Sequence, residues 1–181
     1  VGALGHYSFT ADTSMVAGTY GAATGAAAIA TTAADRMLDT GAPTYGLCRP
    51  PGHHAMADQF GGYCFFNNAA VAAQRLRDRG AARVGILDVD YHHGNGTEEI
   101  FEDDPHVLMA STFQHPFYPY SGTESPASNM VNVPLPAGAG SKQFREAVSR
   151  FWLPALEEFQ PELVIFSAGF DAHFEDEMAM L

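Results

Sequence analysis

The stretch VGILDVDYHHGNGTEEIF, residues 84–101, joins an apolar run to a dense cluster of acids and imidazoles. The apolar run predicts a strand over 83–90 that is covered on both faces, as strands of parallel sheets usually are. The Gly-Asn-Gly turn after it predicts a short helix that reaches about Asp103. Because parallel sheets place ligands outside the carboxyl ends of their strands, this stretch predicts a polar site at the end of a core strand.

Segments on both sides of this stretch alternate between helix-like and strand-like patterns, which predicts an α/β fold with a mainly parallel sheet flanked by helices. We expect helices over 16–39, 67–80 and 141–152, strands over 44–48, 106–112 and 162–173, and a Pro- and aromatic-rich loop to about Asn129. The last strand is expected to be buried and to end at Asp171. The expected helix boundaries are Gly41 for the first helix, Asn67 or Asn68 and Gly80 for the second, and Ser141 as the cap of the third. Pro154 is expected to kink the third helix or to end its first part. A length of 181 residues predicts one domain over residues 1–181.

The composition excludes several classes of protein. Hydrophobic residues make up 46% and charged residues 17% of the chain, which indicates a globular rather than a disordered protein. A net charge of −12 argues against nucleic acid as a direct partner and suits cationic substrates, although solubility alone would also explain it. No apolar run is long enough to span a bilayer, and the two cysteines, Cys48 and Cys64, are expected to be reduced thiols. We therefore expect a cytoplasmic protein with no membrane partner.

Three polar clusters fall at the carboxyl ends of predicted strands. They are RPPGHH at 49–54, DVDYHH at 88–93 and GFDAH at 169–173. Because such strand ends meet at one edge of a parallel sheet, we expect the three clusters to form a single site.

The Asp-x-Asp-x-His pattern favours a metal. In extended backbone Asp88, Asp90 and His92 point to one side, and two neighbouring buried carboxylates are costly without a cation. One carboxylate and one imidazole from this strand, together with Asp171, would provide three protein ligands, the number typical of a catalytic zinc. The alternative is a salt-bridged or hydrogen-bonded strand end, for which Arg49 is the obvious cation.

The tandem pair His53 and His54 lies in a rigid Pro-Pro-Gly loop and is suited to general acid–base chemistry near neutral pH. Each imidazole needs a partner that orients it. Asp88 is free for this role if Asp90 takes the metal, and Asn95 could hold the second histidine. The alternative is a pair of loop histidines without a catalytic role.

Four motifs resemble, in order, those of the zinc-dependent histone deacetylase and acetylpolyamine amidohydrolase superfamily. They are PPGHHA, GGYCFFNNAA, ILDVDYHHGNGT and SAGFDAH, and the resemblance extends from about residue 12 onward. It implies an arginase/deacetylase-like α/β fold and hydrolysis of an acetamide to acetate and a free amine. It also implies one catalytic zinc and structural potassium.

The resemblance further implies roles for individual residues. The implied zinc ligands are Asp90, His92 and Asp171, and the implied catalytic residues are His53 paired with Asp88 and His54, the general base and acid, paired with Asn95. Gly62 is implied to offer its carbonyl to the substrate amide, and Tyr63 and Tyr118 to form the walls of a narrow tunnel. The implied potassium ligands are backbone oxygens of Asp88, Asp90 and His92 with Ser111 and Thr112, and at a second site Phe101, Asp104 and Val107.

One departure from the family concerns its Gly-Gly-Tyr motif, whose tyrosine hydrogen-bonds the oxyanion. EMAML, 177–181, stops as a new segment begins and before that motif, so we expect the central part of a longer deacetylase. Loss of such a donor costs about 10²–10³ in turnover.

Three possible functions stay open. The first is a deacetylase that acts on an acetylpolyamine or on acetyl-lysine in a protein, since GGYC and DVDYHHGNG resemble the polyamine branch and SAGFDAH the class II histone deacetylase branch. The second is a non-catalytic module that binds acetylated amines. The third is an arginase-like binuclear manganese hydrolase, which residues 171–176 faintly resemble. An oligomer is compatible with all three.

Overall fold

The computed structural model describes residues 5–124 and 127–177, so the end of the chain beyond Glu177 lies outside the described residues. The helices are α1 (Thr19–Thr40), α2 (Asn68–Asp78), α3 (Asn95–Phe101), α4 (Ser141–Ala147) and α5 (Leu153–Phe159), and the strands are β1 (Val84–Asp88), β2 (Val107–Gln114), β3 (Met130–Leu135) and β4 (Leu163–Ser167). A short π-helix, Val148–Trp152, joins α4 to α5.

The four strands form one sheet in the order β3-β2-β1-β4, and every pairing is parallel. In this register Asp88, the last residue of β1, lies between Ser111 of β2 and Ser167 of β4. Every residue of β1 and β2 is buried. The predicted α/β class and parallel sheet are therefore confirmed.

Helices cover both faces of the sheet. On one face Val84 and Ile86 pack with buried residues of α1 and α2, among them Ala34 and Leu76. On the other face Leu87 packs in a separate cluster with residues that include Ala110, Val133 and Trp152. Successive strand residues point to opposite faces, so a strand buried on both sides must be apolar throughout, as β1 is up to Asp88.

Local signals predicted the ends of the first two helices correctly. Gly41 ends α1 in the left-handed conformation at φ 68°, which glycine adopts without steric cost. The Asn67 side chain caps α2 by accepting a hydrogen bond from the backbone N–H of Ala70 at 3.0 Å. None of the described helices, α1 included, is both long and apolar enough to cross a membrane.

Residues 44–48 do not form the predicted strand. The hydroxyl of Thr44 donates to the carbonyl of Ala33 at 2.8 Å, and the thiol of Cys48 donates to the carbonyl of Ala26 at 3.3 Å. Both acceptors belong to α1, so this segment is held against a helix rather than beside a strand. A strand requires a neighbouring strand to bond to, and within the described parts of the chain none lies beside these residues.

Strand β3, MVNVPL, was not predicted, and it contains Asn132 and Pro134, two residue types that are depleted in strands. Pro134 lies opposite Phe113 of β2. Proline cannot donate a hydrogen bond, but an edge strand leaves the N–H groups on its outer side unpaired. β3 is at the end of the sheet order, so it tolerates this proline.

The third predicted helix, 141–152, differs from the structure in two ways. Gly140 rather than Ser141 is the N-cap residue, and its backbone N–H donates to Oε1 of Gln143 at 3.2 Å. Pro154 lies in the first turn of α5, directly after the π-helix, so the change from π-helix to α-helix falls next to the proline that was expected to kink the helix or to end its first part. Helical structure therefore continues to Phe159.

Strand β4 is shorter and less buried than predicted. It ends at Ser167, so Asp171 lies in the turn that follows it. Val164 is 43% exposed and Phe166 is 64% exposed. The apolar pattern of β4 correctly indicated a strand, but a pattern cannot show whether another element covers the strand.

Candidate metal centre and active site

The DVDYHH segment folds into turns directly after β1. The backbone N–H of Asp90 donates to Oδ1 of Asp88 at 3.1 Å, and the N–H of His92 donates to Oδ1 of Asp90 at 2.8 Å. These side-chain acceptors replace the sheet ladder once β1 ends. Asp90 and His92 therefore converge through turns, whereas the predicted strand continued to residue 90.

Asp171 completes a group of three side chains. Its Oδ2 lies 2.9 Å from Nδ1 of His92, which also lies 3.0 Å from Oδ1 of Asp90. The backbone N–H of Tyr91 donates to Oδ1 of Asp171 at 3.1 Å, which ties the two segments together. A Cβ at Gly169 would collide with the Asp90 carboxylate, so only glycine lets the chain pass this closely.

The donor set suits a divalent metal. One ligand atom from each of Asp90, His92 and Asp171 lies within 4.8 Å of the others, and no other group of three metal-ligating side chains meets this criterion among residues 5–124 and 127–177. In the same residues no lysine or arginine pairs with Asp88, Asp90 or Asp171, so Arg49 is not the cation of a salt-bridged strand end. The groups that pair with these carboxylates are the imidazoles of His53 and His92. Two carboxylates and one imidazole are a ligand set that binds zinc.

The pKa values of the side chains in this centre indicate a deficit of positive charge. Burial acts to lower the pKa of His92, but hydrogen bonds with Asp171 and Asp90 outweigh burial and raise that pKa to about 9. Burial acts to raise the pKa of Asp90, but His53 and His92 hold it well below its usual range. The centre therefore favours cationic occupants.

The tandem histidines each have a different partner. Nδ1 of His53 lies 2.9 Å from Oδ2 of the fully buried Asp88, and Nδ1 of His54 lies 2.7 Å from Oδ1 of Asn95. The structure thus brings together both pairs that the sequence suggested. Backbone N–H groups of Gly96 and Thr97 donate to the carbonyl of His53 at 3.0 and 3.1 Å, so the start of α3 holds the histidine loop in place.

The two imidazoles have opposite charge preferences. Burial acts to lower the pKa of His53, but the Asp90 and Asp88 carboxylates outweigh it and raise that pKa to about 9. Burial and the neighbouring His53 charge lower the pKa of His54 far below its usual value. The low pKa of His54 favours a neutral imidazole that can accept a proton, whereas the raised pKa of His53 favours the protonated form. The centroids of the two rings lie 4.0 Å apart.

Aromatic groups border this centre on one side. The ring of Tyr118 lies edge-on to that of His54 at 5.1 Å and to that of His92 at 6.0 Å. Gly62 is buried with φ 55°, and a Cβ there would collide with the His54 ring and lie 2.9 Å from Oη of Tyr118. Tyr63 is 58% exposed.

Several neighbours of the site were not identified from the sequence. Phe117 lies 5.6 Å from the His92 ring, and its position beside Tyr118 could have suggested it. Thr10 and Thr13 accept hydrogen bonds from the backbone N–H groups of Gly62 and Tyr63 at 3.3 and 2.9 Å. These contacts join residues about 50 positions apart, so no local pattern could reveal them.

The two expected potassium sites differ in how well they fit. At the first, Oγ of Ser111 is buried without a hydrogen-bond partner among the described residues, as expected of a group that a cation would satisfy. At the second, Nδ2 of Asn129 donates to the carbonyls of Phe101, Asp104 and Val107 at 2.7, 3.1 and 3.0 Å. An amide N–H₂ group already occupies the point on which these three oxygens converge, so the second site does not fit a cation.

Comparison with known proteins gives matches over almost the whole chain. The chain is 44% identical over 184 residues to acetylpolyamine amidohydrolase 2 of Pseudomonas aeruginosa, covering 97% of this chain and 53% of that protein. It is 42% identical over 173 residues to the histone deacetylase-like amidohydrolase of the same species, covering 91% of this chain and 46% of that protein. The crystal structure of acetylpolyamine aminohydrolase from Burkholderia pseudomallei matches with a TM-score of 0.83 at 42% identity, over 90% of this chain and 49% of that one. The chain spans about half the length of the relatives it matches.

The fold of these residues is accordingly that of the deacetylase and amidohydrolase relatives, as the sequence motifs predicted. Residues 3–181 match the protein family described as the histone deacetylase domain. This range includes all four motifs and every residue of the candidate centre. The chain therefore belongs to the histone deacetylase family.

Proposed function

We propose that the protein is a zinc-dependent amidohydrolase that removes acetyl groups from acetylated amines. The observation that carries this proposal is the convergence of Asp90, His92 and Asp171 beside a neutral, oriented His54. Three metal ligands next to a general base are the parts that metal-assisted hydrolysis of an amide requires.

The proposed mechanism assigns a task to each residue. Zinc held by Asp90, His92 and Asp171 would polarise the acetyl carbonyl and lower the pKa of a water molecule. His54 takes a proton from water as the water oxygen attacks the carbonyl carbon. Asn95 holds Nδ1 of His54 at 2.7 Å, which leaves Nε2 to move the proton. The C–N bond breaks as His54 delivers that proton to the leaving amine.

His53 supports the same step electrostatically. Its Nδ1 lies 2.9 Å from Oδ2 of Asp88, and the Asp90 and Asp88 carboxylates outweigh burial and raise the pKa of His53 to about 9, which favours the protonated imidazole. A fixed positive charge next to His54 stabilises the negative charge that develops on the acetyl oxygen. It also keeps the pKa of His54 low, so that His54 starts the reaction unprotonated.

For cofactors, we propose one zinc ion and one structural potassium ion. The potassium ion would satisfy the buried hydroxyl oxygen of Ser111, with Thr112 and backbone oxygens of Asp88, Asp90 and His92 as the other ligands. The positions occupied by Phe101, Asp104 and Val107 are left out of this proposal, because Asn129 already satisfies their carbonyl groups.

The substrate is proposed to be an acetylated amine whose product is cationic. A net charge of −12 favours the approach of cationic molecules. Relatives named as acetylpolyamine amidohydrolases and as a histone deacetylase-like amidohydrolase are similarly close, at 44% and 42% identity. Both acetylpolyamines and acetyl-lysine in proteins are therefore substrates to test.

The first experiment measures acetate release by the product of the whole gene. The substrates are N-acetylputrescine and an acetyl-lysine peptide, each with and without a zinc chelator. Chelator-sensitive release from either substrate supports the proposal and identifies the substrate class. No release from either substrate by protein that contains zinc would overturn the proposal in favour of a non-catalytic acetyl-amine-binding module.

A pair of variants tests the metal ligands. Asp171→Ala removes a proposed ligand, and we expect it to lower zinc affinity by more than about 10–100-fold, the usual cost of losing an outer partner. His173→Ala is the matched control, because His173 is an exposed residue two positions away that lies outside the ligand group. If metal analysis instead finds two manganese ions per chain in the wild-type protein and their loss in His173→Ala, the result supports the binuclear manganese hydrolase.

A further inference from the structure

His93, directly after the proposed ligand His92, is a buried residue to which the proposed mechanism assigns no task. Only 1% of its surface is exposed, and both ring nitrogens have partners. Nδ1 lies 2.8 Å from Oγ of Ser121, and Nε2 lies 2.8 Å from Oε2 of Glu98. The imidazole therefore connects helix α3 with the loop that follows β2.

Glu98 is itself held in place. Its Oε2 also accepts a hydrogen bond of 2.6 Å from Nδ2 of Asn132 in β3. A carboxylate shared by Asn132 and His93 fixes the imidazole plane from one side and makes Nε2 a donor. The His93 ring is thus held in one orientation by its hydrogen-bond partners.

The loop that follows β2 comes very close to the His93 ring. The ring of Phe113 packs against that of His93 with centroids 4.6 Å apart. Gly122 has φ +87°, and a Cβ added there would lie 2.7 Å from Cδ2 of His93 and 2.7 Å from Cζ of Phe113. Backbone at Gly122 therefore lies directly on the two rings, a contact that no other residue type allows without displacement.

The same loop carries the aromatic border of the active site. We name residues 115–122 the wall loop. Its Phe117 and Tyr118 rings lie 5.6 and 6.0 Å from the ring of His92.

Tyr91 and His93, on either side of His92, anchor opposite ends of the wall loop. Oη of Tyr91 donates to Oε1 of Gln114 at 2.6 Å, just before the loop begins. His93 contacts Ser121 and Gly122, where the loop ends. His92 therefore lies between the two anchors of the loop that borders it.

We propose that His93, through Ser121, is a positioning residue that fixes the wall loop at the distance from the metal centre that substrate binding requires. This inference rests on the proposed function, since the wall loop borders the same centre. If His93 served stability alone, loss of the hydrogen bond between His93 and Ser121 would leave the position of Tyr118 unchanged.

The test compares variants of the wall loop in the whole-gene protein. Ser121→Ala removes only the hydroxyl, Ser121→Thr retains it, and Thr123→Ala is a matched control at an exposed position nearby. We expect Ser121→Ala to raise KM for the acetylated substrate about three- to tenfold, as the loss of one hydrogen bond predicts, with kcat nearly unchanged. Ser121→Thr restores KM, and Thr123→Ala leaves KM unchanged.

A double variant tests whether His93 and Ser121 act together. His93→Phe retains a ring and removes both hydrogen bonds. If the two residues act as one unit, adding Ser121→Ala to His93→Phe raises KM no further. Additive increases in KM would show separate actions and overturn the inference.

Hydrogen exchange provides a readout that does not depend on activity. We expect the backbone amides of the wall loop to exchange faster in Ser121→Ala and at the wild-type rate in Ser121→Thr. Unchanged exchange, or faster exchange with unchanged KM, overturns the inference even if the variant is less stable. A wild-type protein with zinc but no activity would overturn the proposed function, and exchange alone would then decide whether His93 holds the loop.

Discussion

At the scale of single residues, the two tandem histidines differ because their partners differ in charge. His53 bonds to the carboxylate of Asp88, whereas His54 bonds to the neutral amide of Asn95. A carboxylate favours the protonated imidazole, but an amide orients the ring without adding negative charge. Asn95 therefore lets His54 remain neutral although it is fully oriented.

This difference predicts the effect of Asn95→Asp on the pH dependence of catalysis. A carboxylate at position 95 should raise the pKa of His54 by about 1–2 pH units. Since the base is active only when unprotonated, the acid limb of the kcat/KM profile should move to higher pH and activity at acidic pH should fall. The measurement is the pH profile of acetate release.

Asn95→Ala is the control for that experiment. It removes the hydrogen bond of 2.7 Å that orients His54 without adding charge, so kcat should fall. The acid limb of its kcat/KM profile should not move to higher pH as that of Asn95→Asp does. An acid limb of Asn95→Asp that coincides with the wild-type limb would show that His54 is not the base.

At the scale of structural elements, Asn129 joins the end of α3 to the start of β2. Its Nδ2 donates to the carbonyls of Phe101, Asp104 and Val107, while its Oδ1 accepts from the backbone N–H of Asp103 at 3.3 Å. The second contact fixes which end of the amide faces the carbonyls. The connection from helix to strand is therefore organised by one side chain.

Removal of this amide should cost stability. Asn129→Ala removes one donor from each of three carbonyls. Those of Phe101 and Asp104 still accept from the backbone N–H groups of Asp104 and Val107, so the main loss is at the Val107 carbonyl, which costs about 1–3 kcal/mol if it stays buried. Asn129→Asp should be worse than Ala in potassium-free buffer, because it directs a carboxylate at the same oxygens. Urea unfolding measures both, and an Asp variant as stable as the wild type would contradict the donor role of Nδ2.

Elements with strong local signals were predictable from sequence, and those that depend on distant partners were not. Asn67 caps the start of α2 and Gly41 caps the end of α1 through contacts within a few residues, so their roles could be inferred correctly. Residues 44–48 have a strand-like pattern but lie against α1, and β3 contains a proline that only an edge position tolerates. In both segments the deciding contact is far away in the chain.

At the scale of the whole molecule, the sheet of residues 5–124 and 127–177 has a strand, β4, with one unpaired edge. Within the described parts of the chain β4 pairs only with β1, so its other edge has no strand partner. Val164 and Phe166 are 43% and 64% exposed on β4, and Phe170 just beyond it is 68% exposed. An exposed apolar strand edge is a template for association.

We therefore predict that the 181-residue chain by itself associates through β4. Phe166→Lys places a charge on the exposed edge and should reduce association, as measured by sedimentation velocity over a range of concentrations. Tyr20→Lys is the control, because Tyr20 is similarly exposed, at 74%, but lies on α1. A wild-type chain that is monomeric at all concentrations would contradict this prediction.

The sequence by itself determined the chemical groups of the candidate centre and the class of fold. Apolar strands followed by Asp, His and Gly at strand ends indicate a parallel sheet with a polar site, because burial and turn chemistry are local properties. The pattern alone indicated one carboxylate and one imidazole of this strand end, with Asp171, as candidate metal ligands, and the family resemblance specified Asp90 and His92.

Only the tertiary structure decided which groups meet and at what distance. His92 reaches Asp171 across 79 positions, and His54 reaches Asn95 across 41. It also showed that Asn129 fills an expected cation site, that His93 contacts both Ser121 and Glu98, and that β4 is exposed. The reason is physical: hydrogen bonds and burial depend on positions in space, and a periodic pattern constrains only neighbours along the chain.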